Sequence, residues 1–132
     1  MTVDYASAGN LLEKFGRSRE TFDGDLVVSL FTDNAEYHGE PFGPPLVGHN
    51  AIRQFWLESA ESQDEVEFTV ERHWVSGDTV LAATHARYVD RRSGDRVRVK
   101  AFMTFEIEGG LIARYREWWN ARRWTAAGRE VG

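Results

Sequence analysis

The chain has 132 residues, 42% of them hydrophobic and 28% charged, with a formal net charge of -5 and no cysteine. A chain of this length is expected to form one domain that buries about two-thirds of its unfolded surface, and its apolar runs fall short of the roughly 20 residues of a membrane span. Disulfides and thiolate chemistry are excluded, and the acidic balance argues against nucleic acid as the main partner, although the arginines of "NARRW" form a local basic cluster. The opening "MTVDYASAGN" has neither a basic nor an apolar signal segment, so an export signal is not expected and a cytoplasmic location is the default.

From Ser7, the apolar residues Leu11, Leu12, Phe15 and Phe22 recur at helical spacing, and Leu26, Val27, Leu30 and Phe31 continue the pattern after the break "DGD". Two consecutive helices are predicted, with Asp23 capping the second. The stretch "AEYHGEPFGPPLVG" predicts a short strand followed by a loop, because its prolines and glycines suit neither a helix nor a central strand. "HNAIRQFWLESAE" returns to helical period, with Ile52, Phe55 and Trp56 on one side and Asn50 as the cap. After Gln63 everything reads as sheet. "EVEFTVERHWV" alternates apolar with polar residues, and short turns separate it from "TVLAATHARYV", "RVRVKAFMTFEI" and "LIARYREWWN". The expected architecture is α+β, a curved antiparallel sheet wrapped around the N-terminal helices.

This order of elements, with the local wording "LFTDNAEYHGEPFGPPLVGHNAIRQFW", "GDTVLAA" and "EGGLIARYREWW", resembles the nuclear transport factor 2-like superfamily and its SnoaL-like group over nearly the whole chain. The resemblance implies a cone with an internal cavity lined by the concave sheet face and closed by the first helices. The scaffold hosts isomerases, epoxide hydrolases, dehydratases, cyclases and proteins with no chemistry, so the residues must decide the function.

If Asp90 pairs with Asp95, then Tyr88 faces Val97, Ala86 faces Val99, Thr84 faces Ala101 and Ala82 faces Met103, which makes one mild face suited to lining a cavity. The opposite face carries His85, Arg87, Arg98, Lys100, Phe102 and Glu106. On the last strand the inward set is either Tyr115, Glu117 and Trp119 or Arg114, Arg116 and Trp118. One carboxylate beside a tyrosine is easier to satisfy inside than two arginines, so Glu117 is expected to face inward.

Compared with limonene-type epoxide hydrolases, Tyr37 falls at the tyrosine and Glu117 at the aspartate of the last strand. Thr84 and Ala86 stand where the arginine and second aspartate belong, and Gly39 replaces the asparagine, so that activity is not expected. Compared with ketosteroid isomerases, Glu40-Pro41 resembles the general base. The first-helix tyrosine is replaced by Arg17, Ser18 or Arg19, and the second acid by Met103, which leaves Arg19 or Tyr37 to stabilise an enolate. Strand parity that turns Tyr37 inward turns Glu36, His38 and Glu40 outward unless the chain bulges near Gly39.

The resulting expectation is a cofactor-free site for a small hydrophobic molecule, aromatic or polycyclic, in which Glu117 shuttles a proton, Tyr37 donates, and Glu40 or His38 assists at the mouth. Trp56, Thr84, Tyr88, Met103, Tyr115 and Trp119 are expected to touch the ligand. The four histidines lie on different elements, so no metal site is expected. Outward-facing Trp118 and Phe102 suggest a sheet-to-sheet homodimer. Three readings follow: an acid-base enzyme, a carrier of the same ligand, or a structural dimer whose own aromatics fill the cavity.

Overall fold

The computed structural model describes residues 2–131. In chain order these form α1 (Tyr5–Thr21), α2 (Gly24–Ser29), β1 (Phe31–His38), β2 (Leu46–Val47), α3 (His49–Ser59), β3 (Gln63–Ser76), β4 (Thr79–Asp90), β5 (Arg96–Glu108), β6 (Leu111–Trp124) and β7 (Glu130–Val131). Among these residues no helix is long and apolar enough to cross a membrane.

The helix ends follow local chemistry. Asp4 starts α1 by accepting a 2.7 Å hydrogen bond from the Ser7 N–H, and Asp23 caps α2 as expected, accepting from the Leu26 N–H at 2.9 Å. Between them Phe22 closes α1 in the left-handed region, with φ 53° and ψ 38°, and its N–H reaches the Ser18 carbonyl. Two helix boundaries differ from the sequence reading. Phe31 leaves the helical pattern and opens β1, because the Leu30 carbonyl accepts from the Ile112 N–H at 2.8 Å and Phe31 pairs with Ile112. Asn50 does not cap α3. The helix starts after Gly48, whose φ of 87° admits the turn without a side-chain cap.

The sheet order is β2-β1-β6-β5-β4-β3, with β7 paired to β6. The expected antiparallel meander from β3 to β6 is present, and β1 adds to β6 in parallel, so the whole sheet is mixed. The β4/β5 hairpin has the predicted register: Tyr88 faces Val97, Ala86 faces Val99, Thr84 faces Ala101 and Ala82 faces Met103. Register shifts in β3, between Asp64 and Glu67 and again between Val70 and Arg72, bend that edge over the helices. At the other end of the β4/β5 hairpin the basic cluster is neutralised: Arg123 lies 2.9 Å from Asp90 and 3.2 Å from Asp95, and Arg122 lies 3.1 Å from Glu130.

The concave face closes over α1. Phe15, 1% exposed, is the hub, with ring centroids 5.3 Å from Phe105, 5.5 Å from Tyr115, 5.8 Å from Trp56 and 5.9 Å from Phe68. Such pairs each contribute about 0.5–1.5 kcal/mol beyond the area they bury. Around them Leu12, Ile52, Val80, Ala82, Met103 and Ile112 complete the core. The middle of the cone is therefore packed solid.

Gly16 allows α1 to lie this close to β3: a Cβ there would stand 2.8 Å from Phe68 Cδ1. A glycine in a helix interior normally costs about 1 kcal/mol relative to alanine. Here the sign reverses, and Gly16→Ala is expected to lower stability by about 1–3 kcal/mol in equilibrium urea unfolding, because overpacking the ring exceeds the gain in propensity.

Candidate active site

With the middle filled, the open space moves to the end of the cone where β1, β6 and the C-terminus of α1 converge. A cavity of about 220 Å³ there is walled by Phe22, Phe55, Trp56, Tyr88 and Trp119, and its polar groups come from Arg19, Tyr37, Ser59, Gln63 and Glu117. A larger depression of about 480 Å³ lies among Glu65, Glu67, Arg87, Arg98 and Trp124. Two of its three arginines are already engaged, Arg87 with Glu67 at 3.2 Å and Arg98 with His85 at 3.2 Å.

Strand alternation in β6 sends Tyr115, Glu117 and Trp119 to the cavity side and leaves Arg116 and Trp118 exposed, as the sequence predicts. Tyr115 is fully buried behind the cavity, and its hydroxyl donates to Glu117 Oε1 at 2.8 Å. Tyr37, facing Tyr115 across the parallel β1/β6 pair, stacks on it with centroids 4.5 Å apart at 17°. Trp119 is half exposed at the mouth, where its indole N–H donates to the Gly39 carbonyl at 2.9 Å. From α1, Arg19 donates to Gln63 Oε1 at 3.0 Å while its guanidinium carbon lies 5.6 Å from the Phe22 ring centre.

The electrostatics follow from this enclosure. Burial raises the Glu117 carboxyl above the ordinary glutamate range, while the Tyr115 hydrogen bond and the Arg19 charge pull it partly back. Burial, reinforced by the Glu117 charge, pushes Tyr37 and Tyr115 far above the usual phenol range, so both stay protonated donors near neutral pH. Burial raises Tyr88 as well.

Glu117, Tyr37, Tyr88, Trp56 and Trp119 thus converge on one cavity, with Tyr115 directly behind Glu117. Four expected site residues fall elsewhere. Thr84 is sealed in the core, its hydroxyl directed at the Ala101 carbonyl and the Met103 sulfur. Met103 is 4% exposed opposite Glu117, because the aromatics around Phe15 occupy the space that both were to line. His38 turns to the other face, where it bonds Glu36 at 3.0 Å. Glu40 is exposed in the loop and does not line the cavity. Strand parity holds through His38, and no bulge turns these two groups inward. Arg19, Gln63, Phe22 and Phe55 line the cavity without having been among the ligand contacts expected from sequence. Among the described residues no group of three His, Asp or Glu comes together as a metal site.

Glu117 holds its proton more tightly in the folded chain than in the unfolded one. Its contribution to stability is complete below the ordinary value of 4.5 and is lost as pH climbs through the raised value. Glu117→Gln is neutral throughout, so its Tm is expected to rise relative to the native chain as pH goes from about 4 to about 8. A pH-independent Tm difference would contradict the burial.

The fold agrees with those of similar chains. A SnoaL-like domain family model matches residues 12–115. No curated protein matches the chain. Among solved structures, the fold is shared with a Bacillus subtilis protein whose assignment as an isomerase is itself provisional, at 24% identity and TM-score 0.78 over 88% of both chains. It is shared too with the epoxide hydrolase/cyclase-like enzyme SalBIII of pyran ring formation in the polyether salinomycin, at 22% identity and TM-score 0.77 over 89% of this chain and 93% of that one. A limonene-epoxide-hydrolase-like epoxide hydrolase from M. tuberculosis superposes at 19% identity and TM-score 0.73, over 87% and 84% of the two chains. The family match spans most of the chain, so this protein belongs to the SnoaL-like domain family.

Proposed function

We propose that the chain binds a small hydrophobic ring compound in the end cavity and moves a proton on it without a cofactor, Glu117 being the proton carrier. The observation that carries this reading is a carboxyl group whose proton affinity is raised by burial, held by the Tyr115 hydroxyl, and opening onto an aromatic-walled cavity. The volume narrows the ligand. A cavity of about 150 Å³ accepts benzene and drug-sized pockets begin near 300 Å³, so about 220 Å³ suits one or two rings. A polycyclic ligand of steroid size would extend beyond this volume.

The chemistry proposed is isomerisation of an enolisable carbonyl compound. The Glu117 carboxylate takes a proton from carbon next to the carbonyl, the C–H electron pair moves into the enolate, and the negative charge develops on oxygen. Glu117 then delivers a proton, either the one it took or one exchanged with solvent, to another carbon of the conjugated system, regenerating the carboxylate. A carboxyl group with raised proton affinity is a stronger base than an exposed one and works nearer neutral pH. Tyr37, protonated and facing the cavity, supplies a donor for the developing oxygen charge. His38 and Glu40 take no part. Structural neighbours that include an epoxide hydrolase/cyclase-like enzyme and an epoxide hydrolase support chemistry in such a cavity.

The test is exchange of the α-protons of 2-tetralone, a two-ring enolisable ketone, followed by NMR in D₂O. The native chain is expected to accelerate exchange. Glu117→Gln, which keeps the shape, is expected to lose about 10²–10⁴ of that rate while quenching of cavity tryptophan fluorescence reports unchanged 2-tetralone affinity. Binding without accelerated exchange in the native chain would replace the enzyme by a carrier.

The assembly proposed is a homodimer through the outer sheet face, where Phe102 and Trp118 are cross-strand neighbours and the Trp74 and Phe102 rings lie 6.1 Å apart, all three at least 36% exposed. Trp118→Glu is expected to convert a dimer into a monomer by light scattering; a native monomer would end this proposal.

A further inference from the structure

Among the described residues, two buried side-chain nitrogens lack a hydrogen-bond partner, Arg19 Nη1 and Arg114 Nε. Their situations differ. Arg114 lies on the outer face between two carboxylates, 3.4 Å from Glu36 and 3.7 Å from Glu106, so its charge is balanced. The one side-chain acceptor for Arg19 is the neutral amide oxygen of Gln63, and among the described residues no carboxylate comes within 4 Å of it. A guanidinium offers five donors and never gives up its charge, so a buried N–H left bare on it is costly unless something else fills the position.

That N–H belongs to a side chain lining the cavity, and three other polar groups of the lining are already committed. The Gly39 carbonyl is taken by Trp119, the Ser59 hydroxyl donates to the Phe55 carbonyl at 2.9 Å, and the Gln63 oxygen is taken by Arg19 itself. Arg19 is also fixed in place: Gln63 holds Nη2 and the Phe22 ring supports the guanidinium plane. Glu117 and Arg19 both line the cavity, outside contact distance of each other, so the same space faces an acid-base group and a cation. We infer that the ligand carries an ionised or ionisable oxygen, of the enolate or phenolate class, and that this oxygen accepts a hydrogen bond from Arg19 Nη1. This subsite rests on the proton-transfer reading and extends it, since it adds to Tyr37 a second, positively charged donor for the oxygen on which charge collects. A charge-assisted hydrogen bond in a water-poor cavity is the interaction that best discriminates an anionic oxygen from its neutral ether.

The experiment is a matched pair of one-ring probes, 4-nitrophenolate and 4-nitroanisole, titrated by quenching of cavity tryptophan fluorescence at a pH where the phenol is ionised. The native chain is expected to prefer the phenolate by about tenfold or more. Arg19→Met is expected to abolish that preference with the ether's Kd unchanged. Gln63→Glu sets a carboxylate against the guanidinium without removing it, and is expected to erase the preference too, which decides the matter if Arg19→Met does not fold. Glu117→Gln, which lifts the opposing charge, is expected to tighten the phenolate further. Equal affinity for both probes in the native chain would overturn the subsite and leave the Glu117 reading standing, since that is judged on 2-tetralone exchange. A phenolate preference that persists in Arg19→Met or Gln63→Glu would overturn it as well. Binding of neither probe would overturn the ligand class and the cavity reading together.

Discussion

A phenol hydroxyl with no access to water must find an acceptor, and for Tyr115 that acceptor is Glu117, at 2.8 Å. The ring of Tyr115 is held on three sides by Phe15, Phe105 and Tyr37, so its hydroxyl has little freedom. The carboxylate it reaches for is therefore placed by the core rather than by the ligand. This one bond joins the packing of the cone to the acid-base chemistry proposed at its end. The core fixes a donor, the donor fixes a carboxylate, and the carboxylate sits beneath aromatic walls that raise its hold on a proton.

Much of the fold can be read in the residues because its long hairpins are local. The loop between Asp90 and Asp95 determines the β4/β5 register, and period-two alternation then assigns every side chain to a face, down to Glu117. Long-range pairing is less visible. Nothing near Phe31 announces that Ile112 will claim it for a parallel strand, and an apolar residue after a helical stripe reads as more helix. Asn50 fails as a cap for a similar reason, since a left-handed Gly48 performs the turn two residues earlier.

The site was legible in face but not in depth. Thr84 and Met103 lie on the predicted face, yet the wedge of Phe15, Phe105 and Phe68 occupies the volume in front of them, and only packing in three dimensions reveals that. Arg19 carried a usable signal. It follows Phe15 by four residues and Leu12 by seven, placing a cation on the buried stripe of α1, where an arginine has no reason to be unless something answers its charge. Glu40 is set at the mouth only by the comparison with ketosteroid isomerases, whereas simple alternation from Tyr37 already sends both it and His38 out.

Phe22 ends α1 in a backbone conformation that favours glycine, at a cost of order 1–3 kcal/mol for a bulky side chain. The same ring forms part of the cavity wall and lies against the guanidinium of Arg19. Conformational ease and support of the Arg19 guanidinium therefore compete at a single position. A chain optimised for endurance alone would place glycine there and relax its backbone, and in doing so would strip the aromatic support from its own cation. The tension retained at Phe22 keeps an aromatic ring against the Arg19 guanidinium, a contact that glycine would forfeit.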